Sequence, residues 1–125
     1  MEKYYLVVGS RTFNDYEMMK RELDKLIAED GEKEITIVSG GARGADSLAE
    51  AYADEKGFKK VVMPADWNKY GKKAGYIRNE EMHKYIASKT EKTVIAFWDG
   101  VSKGTQHNFG LCARYKNPLK VIRFK

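Results

Sequence analysis

The residues best suited to chemistry lie in a glycine-rich segment that reads Ser39-Gly40-Gly41-Ala42-Arg43-Gly44-Ala45-Asp46. Glycines allow the backbone to turn tightly and to approach a ligand closely, because they have no Cβ. A helix that follows such a segment directs its free N–H groups and its positive dipole end toward an anion. Arg43 adds a full charge whose planar geometry matches phosphate oxygens. The segment therefore predicts a phosphate-type anion site.

This segment also has plainer interpretations. Glycines are common in a turn that only connects a strand to a helix, and a lone glycine pair would be explained that way. Three glycines with a serine and an arginine in one loop favour ligand binding instead. Asp46 has two equal interpretations, as a ligand contact or as a first-turn helix residue whose carboxylate complements the helix dipole.

Two further segments repeat the combination of small residues, hydroxyls and cations. In the first, Ser10 follows Gly9 and is suited to donate to a phosphate or a ribose hydroxyl, and Arg11 is suited to pair with phosphate. The second runs from Asp99 to Thr105 and contains Gly104 at the expected start of a helix. Thr105 is either the cap of that helix or a hydroxyl that contacts phosphate.

The stretch from Pro64 to Asn79 combines aromatic and polar residues, namely Asp66, Trp67, Tyr70, Lys72, Lys73, Tyr76, Arg78 and Asn79. Its aromatic rings either stack on a base and cover the ligand or anchor the loop to the domain. Arg78 and Asn79 are predicted in the first turn of the third helix, within reach of the three segments described above. We expect Trp67, Arg78 and Asn79 to contribute to the site.

Short apolar strands alternate with amphipathic helices along the whole chain. The pattern predicts strands at 4–8, 35–38, 61–63, 93–98 and 119–124, helices at 14–30, 44–56, 75–88 and 104–116, and a loop at 65–74. This alternation indicates an α/β fold, a Rossmann-like, doubly wound parallel five-stranded sheet of order 3-2-1-4-5. Ligands of such sheets bind beyond the carboxyl ends of the strands, where the strand order reverses. That rule brings the three segments together.

Composition sets the class of protein. The 125 residues fit one domain, 1–125, and 42% of them are apolar. No apolar run approaches the roughly 20 residues of a membrane span, and no secretory signal is recognisable, so no membrane partner is expected. The lone cysteine, Cys112, agrees with a cytoplasmic setting. The formal charge of +5 suits phosphate ligands or nucleic acid, or it describes a solvated, mildly basic surface.

Several familiar sites are missing from the sequence. His83 and His107 have no partners at metal-binding spacing, so no metal is expected. The Walker phosphate loop and the strict G-x-G-x-x-G pattern are also missing, so no nicotinamide or other cofactor is expected. These absences argue against a simple ATPase and against a standard dehydrogenase.

Four segments carry a resemblance when taken together and in order: GSRTF, SGGARGAD, PADWNKYGKKAGYIRNEEM and WDGVSKGT. They resemble the YspA-like, YpsA-related branch of the SLOG superfamily, the DUF2493 domain, over nearly the whole chain. That superfamily also includes the Lonely Guy phosphoribohydrolases and the DNA-processing protein A family. The resemblance implies a Rossmann-like fold that binds nucleotides, nucleotide-derived signals or nucleic acid. It also implies that the ligand site is lined by Gly9, Ser10, Arg11, Gly40, Gly41, Arg43, Gly44, Asp46, Arg78, Asn79, Gly104 and Thr105.

One position departs from the related enzymes. The Lonely Guy motif P-G-G-x-G-T-x-x-E ends in a catalytic glutamate, and Asn108 stands at that position here. An amide does not replace a carboxylate as a general base. Asp46 and Asp99 are the candidates for a catalytic carboxylate, and Arg78 is the candidate for orienting phosphate or activating a leaving group.

Three functions follow from these observations. The first is a sensor, carrier or sequestering module that binds a nucleotide or nucleotide-derived small molecule. The second is a phosphoribohydrolase-type enzyme acting on a nucleotide. The third is a single-stranded nucleic-acid binding protein, favoured less because the lysines are scattered. A homo-oligomer is a further expectation, because relatives commonly pair. Leu111 and Tyr115 also lie outside the inward-facing stripe of the last helix. A fully covered sheet would bury these two residues equally well.

Overall fold

The chain folds around a five-stranded parallel sheet with the order β3-β2-β1-β4-β5. The computed structural model describes residues 1–31 and 33–125. The elements are β1 (Glu2–Gly9), α1 (Tyr16–Asp30), β2 (Glu34–Ser39), α2 (Ala45–Lys56), β3 (Lys59–Val62), α3 (Trp67–Tyr70), a 3₁₀ turn (Gly71–Lys73), α4 (Ala74–Ala87), β4 (Lys92–Trp98), α5 (Lys103–Tyr115) and β5 (Leu119–Arg123). The fold class and the strand order predicted from the sequence are both confirmed.

The central strand β1 separates two apolar clusters because its alternate side chains point to opposite faces. Tyr5 and Val7 pack with α1 and α2 on one face. Leu6 and Val8 pack with α4 and α5 on the other face. In register, Leu6 lies beside Val38 of β2 and Val94 of β4. With both faces covered, the central strands β1 and β4 contain continuous buried apolar runs, whereas the edge strands β3 and β5 are partly exposed.

The segment 65–74, predicted as a loop, contains the short helix α3 and the 3₁₀ turn. Asp66 begins α3, since its carboxylate accepts a hydrogen bond from the Lys69 N–H at 3.1 Å. Gly71, with a φ of 58°, ends it. A helix of one turn is too short for periodicity to detect, and this explains why the loop prediction was wrong.

Helix α4 begins at Ala74, so Arg78 and Asn79 lie in its second turn and not in the first, as predicted. Helix α5 buries Leu111, which the sequence pattern placed off the inward stripe of this helix. Leu111 is therefore covered within the single chain and gives no argument for an oligomer. None of the described helices is long and apolar enough to cross a membrane.

Candidate functional site

A cavity of about 450 Å³ opens at the carboxyl ends of β1 and β4, where the strand order reverses. We call it the first cavity. The loops after these two strands meet helix α4 there, because parallel strands end at the same edge of the sheet. Ten of the fifteen predicted ligand contacts line it: Gly9, Ser10, Arg11, Asp46, Trp67, Arg78, Asn79, Asp99, Gly104 and Thr105.

A second cavity, also of about 450 Å³, lies on the other side of Arg78 and Trp67. It is lined by the predicted residues Gly40, Gly41 and Arg43 of the glycine-rich loop, and by Pro64 and Ala65. Four residues line both cavities, namely Arg11, Ala42, Trp67 and Arg78. The structure thus distributes the predicted site over two adjoining spaces.

Two predicted contacts line neither of these cavities. Ser39 is buried, and its hydroxyl donates to the Glu50 carboxylate at 2.7 Å. The Ser39 side chain therefore turns away from the two cavities. Gly44 packs against the first loop, where an ideal Cβ would lie 2.5 Å from the carbonyl oxygen of Ser10. Its φ of 82° is a second reason for glycine at this position. Both residues shape the glycine-rich loop, and the other predicted contacts line the cavities.

Ser10 ties the three predicted segments together. Its N–H donates to the Phe97 carbonyl at 3.0 Å, and its carbonyl accepts from Ala45 N–H at 3.3 Å. Its hydroxyl oxygen accepts from the Asp99 N–H at 3.2 Å. These bonds link the ends of β1 and β4 to the start of α2. Ser10 is itself buried, so the bonds are shielded from competing water.

Arg78 is held in one orientation by two neighbours. Its Nη1 donates to the Gly40 carbonyl, and its Nε donates to Asn79 Oδ1 at 2.9 Å. The Nη2 end has no hydrogen-bond acceptor among the described residues. Burial lowers the pKa of Arg78 from its ordinary value, but an arginine remains charged at neutral pH. The side chain therefore presents a fixed cation with free donors at the cavity wall.

Asp46 and Asp99 face the first cavity with different chemistry. Asp46 is 7% exposed and accepts from the Ala42 N–H at 3.2 Å. Burial raises the pKa of its carboxyl group to about 6. Asp99 Oδ1 accepts from the N–H groups of Val101 and Ser102 at 2.9 and 2.8 Å, and these bonds lower its pKa. Asp46 is thus suited to exchange a proton near neutral pH, whereas Asp99 is an ionised acceptor that holds its own loop.

The N-terminus of α5 opens into the first cavity. The helix begins at Lys103, and its N-cap residue is Ser102, whose carbonyl accepts the Gln106 N–H at 3.2 Å. The N–H groups of Lys103, Gly104 and Thr105 precede that bond and have no partner within the helix. Thr105 is not the cap; its hydroxyl makes one long contact, 3.4 Å, with the Ser102 hydroxyl. The interpretation of Thr105 as the helix cap is therefore wrong, and its interpretation as a ligand contact stays a prediction.

Asn108 lines the first cavity and connects to a buried polar chain that the sequence did not reveal. Asn117 Nδ2 lies 3.0 Å from His83 Nδ1 and donates to the His83 carbonyl at 3.3 Å. An amide N–H₂ facing Nδ1 requires the imidazole proton on Nε2, which then donates to Asn108 Oδ1 at 3.1 Å. Burial lowers the pKa of His83 to about 4, so the ring is neutral. The chain fixes the orientation of the Asn108 amide.

Trp67 and Tyr76 form the exposed wall of the first cavity. They are 51% and 49% exposed, so neither ring is held in the apolar core. The Arg11 guanidinium lies 6.0 Å from the centre of the Trp67 ring, and Tyr76 contacts the ring of His107. Tyr70 lines neither of the two cavities. The rings of Trp67 and Tyr76 are thus accessible at the cavity wall.

The cavity contains residues that sequence reasoning did not select as contacts, namely Val8, Thr12, Ala42, Lys72, Gly75, Tyr76, Met82, Ser102 and Asn108. Helical spacing could have found several of them. Gly75 and Met82 each lie one turn from Asn79 on one face of α4, and Asn108 follows Thr105 by three positions on α5.

Comparison with known proteins decides the family. A family model described as "YspA, cpYpsA-related SLOG family" matches residues 6–70, from β1 to the end of α3. The Gene 61 protein of Mycobacterium phage D29 is 36% identical over 130 residues, which cover 95% of this chain and 94% of that protein. This chain belongs to the YspA, cpYpsA-related SLOG family. Membership supports a nucleotide-related function in general.

Solved structures of other proteins show the same fold. The C-terminal domain of the PF1911 hydrogenase from Pyrococcus furiosus superposes with a TM-score of 0.59 over 95% of this chain and 89% of that domain. Its sequence is 17% identical to this SLOG chain, so the likeness is one of fold alone. It agrees with the Rossmann-like class.

Proposed function

We propose that this SLOG protein binds a nucleotide or nucleotide-derived, phosphate-bearing small molecule in the first cavity. One observation carries the proposal: the free Nη2 end of Arg78, the Thr105 hydroxyl and the open N-terminus of α5 line the same 450 Å³ space. A volume of about 300–1,000 Å³ is typical of small-molecule sites. The arrangement combines a fixed cation, a hydroxyl and unpaired N–H groups, which together suit a phosphate group.

The rest of the cavity suits the other parts of a nucleotide. Trp67 and Tyr76 offer aromatic faces on which a base would stack. Asp99 is an ionised acceptor at the same cavity and suits ribose hydroxyl groups. Asn108 Nδ2 donates to the Gly104 carbonyl at 3.2 Å, so this amide also supports the start of α5. These groups favour a whole nucleotide over a bare phosphate.

Thermal shift against a ligand panel tests this proposal. The panel contains AMP, ADP, NAD, ADP-ribose, UMP, cyclic mono- and dinucleotides, ribose 5-phosphate and a short single-stranded oligonucleotide. A ligand at a hundred times its Kd stabilises the fold by roughly 2.7 kcal/mol. We expect stabilisation by at least one nucleotide, and its loss in Arg78→Gln but not in Lys25→Gln, an exposed change on α1.

Two other results would contradict the proposal. The first is a folded protein that no nucleotide stabilises. The second is stabilisation by the oligonucleotide alone with an affinity that falls steeply as salt rises, which would favour nucleic-acid binding through released counterions.

A second candidate function is hydrolysis of the bound nucleotide, with Asp46 as the acid–base group. The raised pKa of Asp46, about 6, specifically favours it, because a general base works best when its pKa lies near the working pH. Asp99 is less suited, since its pKa is lowered and its Oδ1 already accepts two N–H groups.

Release of free base from ribonucleoside monophosphates, followed by chromatography, tests this activity. We expect Asp46→Asn to abolish release. Asp54→Asn is the matched control, because it makes the same change at an exposed position of α2 that lines neither cavity. Release by Asp46→Asn at the wild-type rate would exclude Asp46 as the catalytic group.

A further inference from the structure

We infer that the two cavities are lobes of one site, and that its ligand is a two-part molecule whose halves are joined by a diphosphate. This inference rests on the proposed function and names the ligand class more closely. The first cavity is the first lobe, and the second cavity is the second lobe. A mononucleotide would fill the first lobe and leave the second lobe empty. A diphosphate-bridged molecule, such as a nucleoside diphosphate joined to a second sugar, would occupy both.

The residues between the lobes carry this inference. Arg11, Ala42, Trp67 and Arg78 line both spaces, so one ligand that extends from one lobe to the other must pass them. Two of these four are arginines. The boundary between the lobes is therefore the most cationic part of the site, whereas a mononucleotide site needs its cations at one end.

Neither arginine at this boundary is ion-paired with a described carboxylate, and Asp46 offsets the charge of Arg78 only from beyond 4.0 Å. Among residues 1–31 and 33–125, no carboxylate oxygen lies within 4.0 Å of the Arg11 or the Arg78 guanidinium. Burial lowers the pKa of Arg78, and the negative charge of Asp46 opposes that change. The positive charge of Arg11 lowers the pKa of Arg78 further. Two like charges that face one space are relieved by an anion between them. A bridging diphosphate supplies two negative charges, one for each guanidinium.

The residues that line the second lobe suit a sugar. Gly40 and Gly41 line it without side chains, and Gly41 has a φ of 71°, which glycine adopts without strain. Arg43 lines only this lobe and is exposed, so its donors are available to hydroxyl groups. Pro64 and Ala65 form the apolar side. Backbone, donors and a small apolar surface together suit a polar ring that follows the diphosphate.

Isothermal titration with two ligand series tests the inference. One series is AMP, ADP and ADP-ribose, and the other is UMP, UDP and UDP-glucose. The last step of each series adds a second sugar without adding a phosphate. In one of the two series we expect that step to tighten binding by about tenfold, a difference of about 1.4 kcal/mol.

Two variants assign that gain to the second lobe. Ala65→Phe fills this lobe only, and Arg43→Ala removes its charged wall. We expect each variant to reduce the affinity for the two-part ligand to that for the nucleoside diphosphate, and to leave the monophosphate affinity unchanged. Ala28→Phe is the matched control, because it adds the same side chain to an exposed position near the end of α1, away from the cavities. If Ala65→Phe does not fold, Arg43→Ala decides alone.

The outcomes separate the inference from the proposed function. Two results overturn the two-lobe ligand and leave nucleotide binding in place. In the first, the monophosphate binds but the second sugar adds no affinity. In the second, the second sugar adds affinity and the folded variants keep that gain. A loss in Arg43→Ala that is equal for all three members of a series also overturns it. No binding by either series overturns both.

Discussion

Gly40 and Arg78 lie so close together that a side chain at position 40 would displace the Arg78 guanidinium. An ideal Cβ on Gly40 would be 2.8 Å from Cζ of Arg78 and 2.9 Å from Oδ2 of Asp46. The guanidinium lies across the loop at this point and donates to the Gly40 carbonyl. The close approach of Arg78, and not an unusual φ, favours glycine here, and this contact links the glycine-rich loop to α4.

We therefore expect Gly40→Ala to displace Arg78 and to weaken nucleotide binding by about tenfold or more, with a loss of about 1–3 kcal/mol in unfolding free energy. Calorimetric titration and urea denaturation measure the two effects. Gly110→Ala is the control, since nothing lies within 4 Å of its ideal Cβ, and it should stabilise α5 by about 0.5–1 kcal/mol. Wild-type nucleotide affinity in Gly40→Ala would show that Arg78 is not a ligand contact.

Thr105→Val tests the hydroxyl at the start of α5. The Thr105 side chain is buried and its hydroxyl makes one long contact, so the unfolding free energy should change by less than about 1 kcal/mol. A hydrogen bond to a charged phosphate is worth about 1.5–3 kcal/mol, which predicts about 10- to 100-fold weaker binding. Thr90→Val, in an exposed turn, should bind like the wild type. Equal affinity in all three proteins would exclude the Thr105 hydroxyl from the site.

Asp46 should make the fold less stable as pH rises. Its pKa is raised to about 6 in the folded protein from an ordinary 3.8, so folding favours the protonated form. That stabilisation is present at low pH and is lost as pH rises from about 4 to above 6, at a cost of about 2 kcal/mol. Asp46→Asn removes this dependence, so its unfolding free energy relative to the wild type should rise by about 2 kcal/mol between pH 4 and pH 7. Urea denaturation at both pH values measures this; a constant difference would place the pKa of Asp46 near its ordinary value.

His83 should have the opposite effect in the same pH range. Its pKa is lowered from 6.5 to about 4, so the folded state favours the neutral ring, and stability is lost as pH falls from about 6.5 to 4. The loss is about 3 kcal/mol. The stability deficit of His83→Gln relative to the wild type should therefore shrink by about that amount between pH 7 and pH 4, whereas that of His107→Gln should change less. A deficit that does not change with pH would mean that His83 titrates normally in the fold.

The contributions of Asp46 and His83 partly cancel in the wild-type protein. As pH falls from about 6 to 4, the protonation of Asp46 favours the fold and the protonation of His83 opposes it. We expect the wild-type unfolding free energy to change less over this range than that of either Asp46→Asn or His83→Gln. A wild-type change larger than that of both variants would contradict this compensation.

The sequence by itself determined the class of fold, the strand order and most of the first cavity. Continuous apolar strands alternating with helices leave few topologies, because parallel strands need helical crossovers of one hand. The topology then brings the ends of β1, β2 and β4 to one edge, so Ser10, Asp99 and Thr105 were predictable as neighbours from their positions along the chain alone.

Only the tertiary structure decided what each side chain does there. Ser39 was predicted as a ligand contact, but its hydroxyl turns to Glu50, a partner eleven positions away that the local pattern does not indicate. The roles of Asp46 and Asp99 diverge because one carboxyl group is buried and the other accepts two N–H groups. The chain from Asn117 through His83 to Asn108 joins α4, α5 and the residues before β5. Hydrogen-bond partners and burial depend on how distant segments pack, and residue type and spacing do not specify that packing.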